Sequence, residues 1–328
     1  MSNLIATLGL SAYFENPKTS FAQLGKSLLI PLIGLLVFLV MWEIGAKSIH
    51  TSLGLFPGPV AVYEQSINLI NDHNAERKKE VAFYERQEKR NAKKLEKDPN
   101  AKIKVRPYTG KPTFFDQILT SLITVLTGFL IASMIAIPAG IIIGLNSTLY
   151  SAFNPLIQLF KPVSPLAWLP LVTMVVSAVY VSKDPLFAKS FLTSLITVSL
   201  CSLWPTLLNT AVGVSSISKD LQNVSQVLRL NWFTHVMKIV LPSAIPMMFT
   251  GLRLSLGIAW MVLIAAEMLA QNPGLGKFVW DEFQNGSSSS LGRIMVAVLV
   301  IGLIGFLLDR CMLFLQRKVS WDKTAVLR

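Results

Sequence analysis

Six long apolar segments constrain this chain more than any other feature of its sequence. They are residues 26–47, 118–145, 166–182, 187–210, 244–270 and 292–316. A helix of roughly 20 apolar residues matches the hydrocarbon thickness of a bilayer, so each segment predicts one membrane-spanning helix. Hydrophobic residues make up 52% of the chain and charged residues only 15%, a balance outside that of soluble domains. The sequence therefore predicts an all-α integral membrane protein with six transmembrane helices.

Two of these segments carry further structural signals. The second contains Ala132, Ala136, Gly140 and Gly144 at four-residue spacing, which predicts close helix packing inside the subunit or across a dimer. Before and within the third segment, four prolines predict a broken piece at 151–165 that lies along the membrane interface. Irregular backbone at membrane depth is tolerated only where protein or a cavity shelters it. The broken piece therefore predicts either a wall of a translocation path or a plain re-entrant bend.

The sequence shows no catalytic or metal-binding constellation. His50, His73 and His235 are scattered without metal-ligand spacing, and the two cysteines, Cys201 and Cys311, fall inside predicted spans. The G-x-x-x-x-G-K-S/T motif that cradles nucleotide phosphates is missing. We therefore expect no catalytic residues, no metal and no bound ATP on this chain. The first 25 residues lack the basic start and apolar core of a cleavable signal peptide.

A polar, basic stretch, DLQNVSQVLRLNWFTHVMKIVLPSAIP at 220–246, separates two of the apolar segments. Val224, Val227 and Leu228 recur at helical spacing, and the same spacing begins again at Phe233. Two short helices, each with one apolar face, are predicted. An ordered helix pair outside the membrane predicts a docking surface for a soluble partner.

This stretch resembles the coupling motif of ABC-importer permeases, in which an EAA-type box is followed by a glycine and, nine to ten residues later, by Leu-Pro. Other motifs resemble the nitrate/sulfonate/taurine/bicarbonate permeases: PLIQLFKPVSPLAWLP at 155–170, TGLR at 250–253, AEM at 266–268, PGLG at 273–276 and Trp321 after a basic run. The resemblance covers residues 20–70 and 114–322 and leaves out residues 72–111. Residues 163–170 and 319–321 look most like the nitrate branch.

The resemblance implies a type I ABC-importer permease core and an ATP-driven transport subunit of the bacterial inner membrane. It implies import of a small inorganic anion, with nitrate or nitrite first and bicarbonate, cyanate, taurine or an aliphatic sulfonate as alternatives. Separate ABC ATPase subunits would hold ATP and Mg²⁺, so this chain would be neither an enzyme nor a cofactor carrier. An extracytoplasmic binding protein would deliver the anion to a permease homodimer.

The box departs from the family pattern at two places. Asn223-Val-Ser225 replaces Glu-Ala-Ala, and Arg229 stands where most members carry glycine. Arginine has no special tolerance for positive φ, so we expect a turn that is not left-handed. Pro242 is expected to end the second coupling helix, because proline lacks the required N–H. By resemblance, the ATPase-coupling residues are Asn223, Val224, Leu228, Arg229, Trp232, Phe233 and Pro242.

The distribution of positive charge predicts the orientation of the spans. The loop 211–243 and the tail 317–328 are basic, which places both in the cytoplasm under the positive-inside rule. Both termini are then cytoplasmic. The predicted organisation is a cytoplasmic segment 1–25, a first span 26–47, an extracytoplasmic loop 48–117, a core 118–316 with coupling helices at 215–243, and a cytoplasmic tail 317–328.

The loop contains a charged insertion, residues 72–111, with thirteen Lys or Arg against seven Asp or Glu. Residues 75–97 are rich in helix formers and predict a helix that ends at Asp98-Pro99. One interpretation is a solvated charged helix. The other is a basic collar that docks an acidic binding protein or concentrates anions. Acidic residues are interleaved with the basic ones, so a nucleic-acid partner is not expected.

Polar and aromatic side chains of the fourth and fifth spans are candidates for lining an anion path. Arg253, Trp260 and Glu267 share one side of the fifth span, and we expect Lys183 or Lys189 to pair with Glu267. Two alternatives are that the hydroxyls bond within or between helices and that the charges reach the two membrane interfaces. The predicted lining is Thr193, Ser194, Thr197, Trp204, Arg253, Trp260 and Glu267.

An ATP-independent anion channel or carrier is a second interpretation of the whole chain, and a membrane enzyme is a third. The coupling stretch argues against a channel, because it would have no purpose without an external motor. The missing catalytic constellation argues against an enzyme.

Overall fold

The computed structural model of this chain describes residues 17–51, 54–98, 103, 105–181, 186–287 and 289–319. In this part the chain is almost entirely helical. A short antiparallel hairpin of β1 (His50–Thr51) and β2 (Gly54–Leu55) pairs His50 with Leu55. The helices are α1 (Pro17–Ser48), α2 (Pro59–Lys97), α3 (Phe114–Leu145), α4 (Ser147–Phe160), α5 (Pro165–Val179), α6 (Lys189–Ser215), α7 (Lys219–Val227), α8 (Trp232–His235), a π-helical turn (Val236–Val240), α9 (Leu241–Ala270), α10 (Leu275–Asn285) and α11 (Ser290–Val319).

Five of the described helices are long and apolar enough to cross a membrane. They are α1 from Leu29 onward, α3, α6, the continuous run Trp232–Ala270, and α11. The bent pair α4 and α5 raises the number to six if it counts as one span. The prediction of an all-α membrane protein is confirmed.

The predicted third span differs from the other five. Residues 166–182 were expected to be helical throughout, but the helix α5 is Pro165–Val179. Its 15 residues extend about 22 Å, which is less than the hydrocarbon core of a bilayer. The preceding helix, α4, is bent by 96° against it. The proline-rich stretch therefore forms two helices joined by a sharp bend.

Pro242 does not end the second coupling helix, and that prediction is wrong. Helix α8 continues through the π-helical turn Val236–Val240 directly into α9. In this turn the Leu241 N–H donates to the carbonyl of Val236, five residues earlier. Pro242 then falls directly after the π-helical turn, where the local widening of the helix removes the need for an N–H at this position.

The core is formed by α3, α6 and α9, and small residues set their close approach. A Cβ on Gly140 would lie 2.8 Å from the Leu207 carbonyl oxygen, and one on Gly144 would lie 2.6 Å from that of Ala211. Ala132 and Ala136, on the same face of α3, are buried. The four-residue spacing of small residues therefore serves packing inside the subunit.

The two ends of this bundle carry different elements. At the coupling end, the last turns of α3 and α6 meet α7 and α8 around a cleft of about 860 Å³. The opposite end carries the first turns of α3 and α11 together with α10. Helix α2 crosses this opposite end, where Asp72 and Glu76 share a cleft with Phe114 of α3 and Glu282 of α10.

Candidate functional site

The coupling segment presents large apolar side chains to the surface. Leu228, Trp232 and Phe233 are 62%, 64% and 66% exposed, and Val224 is also exposed. We call these four residues the coupling surface. Exposed apolar patches of this kind mark protein–protein or membrane interaction sites. Val227, exposed by 82%, lies beside them and was missing from the predicted site, although its helical spacing to Val224 indicated it.

The turn between α7 and α8 is left-handed at Arg229, so the expectation of an ordinary turn is wrong. The φ angle of Arg229 is 48°. Its N–H donates to the Gln226 carbonyl, and the Leu230 N–H donates to that of Ser225. This pair of bonds is a Schellman motif, which closes a helix C-terminus through a left-handed residue. Arginine occupies the position that glycine usually takes, and the motif's bonds hold it there.

A hydrogen bond braces the two coupling helices across this turn. Ser225 Oγ and His235 Nδ1 lie 2.7 Å apart, and Ser225 is buried. Asn231 caps α8, because its Oδ1 accepts from the Thr234 N–H at 2.8 Å. The segment is therefore an ordered unit. Asn223 and Arg229 are exposed beside the coupling surface, whereas Pro242 is half-buried in the first turn of α9.

The predicted path residues of α6 are buried within the packed bundle. Thr193, Ser194 and Thr197 are 3%, 0% and 0% exposed. The Thr197 hydroxyl donates to the Thr193 carbonyl one turn earlier. Ser194 Oγ has no partner among the described residues. These side chains lie between helices of one subunit in this conformation.

Trp204 lies at the bend between α4 and α5. Its ring stacks on Phe160, with ring centroids 5.6 Å apart. Trp168 also packs against Phe160, with ring centroids 6.1 Å apart. The indole N–H of Trp204 is buried without an acceptor in the described part of the chain. An unused donor beside aromatic walls is chemically suited to an anion.

Arg253 and Trp260 both bond to α11. Arg253 Nε and Nη2 donate to Asp309 Oδ1 at 3.1 and 2.9 Å, and Trp260 Nε1 donates to the Ile301 carbonyl at 3.0 Å. Sequence analysis missed Asp309, although a carboxylate inside a predicted span is an expected partner for an intramembrane arginine. The two candidates thus join α9 to α11.

Glu267 is fully buried where α9 ends, and its carboxylate is held by neutral donors. Ser121 Oγ lies 2.8 and 2.9 Å from its two oxygens, and the Gly276 N–H donates to it at 3.0 Å. Asn272 Nδ2 approaches to 3.5 Å. Ser121 also accepts from the Leu275 N–H at 2.8 Å. We call these five residues the Glu267 network.

The expected cationic partner of Glu267 is not found among the described residues. Lys189 is exposed and forms no ion pair with the carboxylate, and Lys183 lies outside the described residues. Neutral donors from α3 and the α9–α10 turn take its place, since hydrogen bonds to a carboxylate satisfy a buried charge. The network was missed because Ser121 and Glu267 are 146 residues apart in the chain.

Two glycines make room for this carboxylate. A Cβ on Gly274 would lie 2.1 Å from Glu267 Oε1, and one on Gly276 would lie 2.1 Å from the Ile264 carbonyl oxygen. The PGLG motif is thereby explained by close approach of the α9–α10 turn to α9. Among the described residues, no group of three or more His, Cys, Asp or Glu is arranged to hold a metal ion.

Comparisons with known proteins agree with this architecture. The family described as "Binding-protein-dependent transport system inner membrane component" matches residues 136–321, which include the coupling segment and the PGLG turn. A solved structure of the methionine ABC transporter MetNI, in an inward-facing conformation, is similar with a TM-score of 0.54. The match covers 63% of this chain and 96% of that chain at 13% identity, so it shows the fold.

Three curated relatives cover most of the chain. The bicarbonate transport system permease protein of Synechococcus elongatus is 34% identical over 88% of each chain. The nitrate import permease protein of Synechocystis is 31% identical over 96% of this chain and 97% of the relative. The taurine transport system permease protein of Escherichia coli is 29% identical over 63% of this chain and 70% of the relative.

Proposed function

We propose that this chain, which belongs to the family of inner-membrane components of binding-protein-dependent transport systems, carries nitrate into the cell. It is the permease subunit of an anion-importing ABC transporter. ATP hydrolysis is the work of separate subunits. The observation that carries the choice of nitrate is the nitrate permease relative, which spans 96% of this chain. Nitrite is the nearest chemical variant.

Bicarbonate is the second candidate, because a bicarbonate permease relative is 34% identical over 88% of the chain. Both anions are small, planar and carry one negative charge. The test is uptake of labelled nitrate and labelled bicarbonate by proteoliposomes that contain the permease, its ATPases and its binding protein. Uptake of labelled nitrate in the presence of excess bicarbonate supports the proposal. Uptake of labelled bicarbonate without uptake of labelled nitrate would make bicarbonate the transported anion instead. ATP-independent flux of either anion would favour a channel or carrier.

The proposed assembly is a permease homodimer with two ATPase subunits in the bacterial inner membrane. Both termini and the coupling surface face the cytoplasm, where the ATPases bind. ATP and Mg²⁺ are held by the ATPases, and an extracytoplasmic binding protein delivers the anion at the opposite end. Closure of the ATPases would move residues 220–242 and rock the spans. One permease copy per two ATPases in the purified complex, without another transmembrane subunit, would refute the homodimer.

The proposed path passes the bend between α4 and α5. Its donor is the indole N–H of Trp204, which is buried without an acceptor in the described residues. Tight binding by full charges would slow release of an anion, and a neutral donor avoids that cost. Arg253 is already paired with Asp309, so it would act as a partly neutralised charge. Thr193, Ser194 and Thr197 would join the path only when α6 separates from its neighbours.

Replacement of Trp204 by phenylalanine tests this path, because it removes the N–H and keeps an aromatic wall. We expect the KM for transported anion to rise roughly 3–10-fold, the effect of losing one neutral hydrogen bond. Trp168→Phe is the matched control in the same aromatic cluster. Equal effects of the two variants would contradict the role of the N–H. Normal uptake by both Arg253→Gln and Thr197→Val would remove those residues from the path.

A further inference from the structure

The charged insertion forms an ordered projection at the opposite end of the bundle. We call this projection the arm. It comprises residues 76–97 of α2 and the returning segment 105–112. Its base is tied to the core by Arg293 of α11, which donates to Asp72 at 2.7 Å and to Glu282 of α10 at 3.3 Å. The arm is thus connected to α10, the helix whose first turn binds Glu267.

The returning segment covers one side of the arm's helix. Gln87, only 4% exposed, accepts from the Arg106 N–H at 2.9 Å and donates to the Arg106 carbonyl at 3.3 Å. The Tyr108 hydroxyl donates to Glu76 at 2.7 Å, and this bond holds the pKa of Glu76 below its usual range. These bonds give the arm a fixed shape and leave its remaining faces open.

One open face carries a stripe of five basic side chains. They share an exposed surface with one acid, Glu96, and stand at helical spacings of three and four residues, so they lie on one side of the helix. The stripe extends about 12 Å along the helix. We call the following residues the basic stripe: Arg86, Lys89, Arg90, Lys93 and Lys94.

The cations of the stripe differ from those at the base of the arm. Arg77, Lys79 and Arg293 at the base all form ion pairs. No residue of the basic stripe forms an ion pair with any acid in the described part of the chain. Of the nearby acids, Glu88 falls on the far side of the helix by its 100° rotation per residue, whereas Glu85, one turn before Lys89, and Glu96 flank the stripe. Five cations against two flanking acids therefore give a net positive surface that is open to a partner.

We propose that the basic stripe docks an acidic face of the soluble extracytoplasmic binding protein. The proposal rests on the proposed function, which places this end of the bundle outside the cytoplasm. A protein is favoured over the lipid surface, because helices that lie on membranes carry an apolar face beside their cations. Phe83, a large apolar side chain on the stripe's side of the helix, is half-buried against Tyr108 of the returning segment.

Exposed charges of this kind act mainly on the rate of association and on its dependence on salt. The basic stripe would therefore raise the frequency of productive encounters with the loaded binding protein. It would not change the turnover of a complex that is already saturated.

The test uses the complete permease–ATPase complex in nanodiscs and the purified binding protein. The variant Lys89→Gln with Lys93→Gln removes two charges of the stripe. Its control, Lys47→Gln with Lys189→Gln, removes two exposed charges at the same end of the bundle but away from the arm, of which Lys47 is paired with Glu43. The measurement is the concentration of binding protein that gives half-maximal stimulation of ATP hydrolysis, in low and in high salt.

We expect this concentration to rise roughly 3–10-fold for the stripe variant in low salt, with an unchanged maximal rate. The difference from the control should shrink in high salt, because salt screens exposed charges. Equal values for variant and control would overturn the proposal. Loss of binding to phosphatidylglycerol vesicles, without any change in the half-maximal concentration, would overturn it in favour of lipid. A wild-type complex that the binding protein does not stimulate would instead refute the proposed function.

Discussion

The coupling end of the bundle exposes large apolar side chains, whereas the opposite end buries a carboxylate. At the coupling end, Leu228 and Phe233 are apolar and more than 60% exposed. At the opposite end, Glu267 carries a carboxylate and is 0% exposed, and Ser121 of α3 and Gly276 of α10 donate to it. In the proposed assembly an ATPase subunit covers the coupling surface, whereas the Glu267 network lies inside the permease.

This contrast predicts which property each kind of substitution affects. Changes in the coupling surface should act on assembly with the ATPases and leave the isolated permease folded. Changes in the Glu267 network should act on the stability of the permease itself, whether or not the ATPases are present. Each comparison below pairs a residue from one of these regions with a control of the same chemistry elsewhere.

The largest expected effect comes from Leu228→Ala with Phe233→Ala. Each large apolar side chain contributes roughly 1.5–3 kcal/mol when buried, so the pair should weaken ATPase binding by about 3–6 kcal/mol. The control is Leu307→Ala with Phe314→Ala on α11, where both side chains are similarly exposed. Co-purification of ATPase with the permease in detergent measures the effect. Retention of ATPase by the coupling variant, or equal loss in the control, would remove the coupling surface from the interface.

Gly276→Ala should strongly destabilise the isolated permease. Its Cβ would meet the Ile264 carbonyl at 2.1 Å, a backbone atom that moves only if α9 and α10 separate. Overpacking of this kind costs roughly 1–3 kcal/mol and occasionally more. Gly257→Ala in α9 is the control, because nothing lies within 4 Å of the Cβ it would add. The Tm of the purified permease should fall for Gly276→Ala and remain unchanged for Gly257→Ala.

Ser121→Ala should have a smaller effect on the same property. It removes a donor to Glu267 and the acceptor of the Leu275 N–H, and unsatisfied buried groups cost about 1–3 kcal/mol. Ser133→Ala is the control, since within the described residues its buried hydroxyl bonds only to the Phe129 carbonyl of its own helix. Denaturation of both variants without ATPase measures the difference. Equal stability of the two would mean that the Glu267 network adds nothing to the fold.

The sequence predicted well what depends on local pattern. Apolar length located five of the six predicted spans, and the period of one helix located the exposed apolar face at Val224 and Leu228. The small-residue spacing of α3 likewise indicated a packing face. Which helix it packs against, α6, depends on three-dimensional neighbours and became visible only in the fold.

The errors have two physical sources. The Glu267 network was missed because hydrogen bonds between Ser121 and Glu267 link positions far apart in the chain, and single-sequence spacing carries no information on such pairs. The predictions that Pro242 ends a helix and that the turn at Arg229 is not left-handed were wrong, because tertiary context outweighed residue preference. A π-helical turn moved the proline to a tolerant position, and a Schellman motif stabilised a left-handed arginine at a cost of about 1–2 kcal/mol.

The smallest expected effect is at Arg229, and it tests the left-handed turn directly. Arg229→Gly should raise the stability of the coupling segment by less than about 1 kcal/mol, because glycine adopts positive φ without strain but loses more freedom on folding. Arg229→Val should lower it, since β-branched residues are poorly tolerated at positive φ. Hydrogen exchange of the Leu230 N–H, which donates to Ser225, measures opening of this turn. Faster exchange in the glycine variant than in the valine variant would refute the left-handed geometry. Equal transport by the wild type and the glycine variant would show that the arginine side chain makes no required contact with the ATPase.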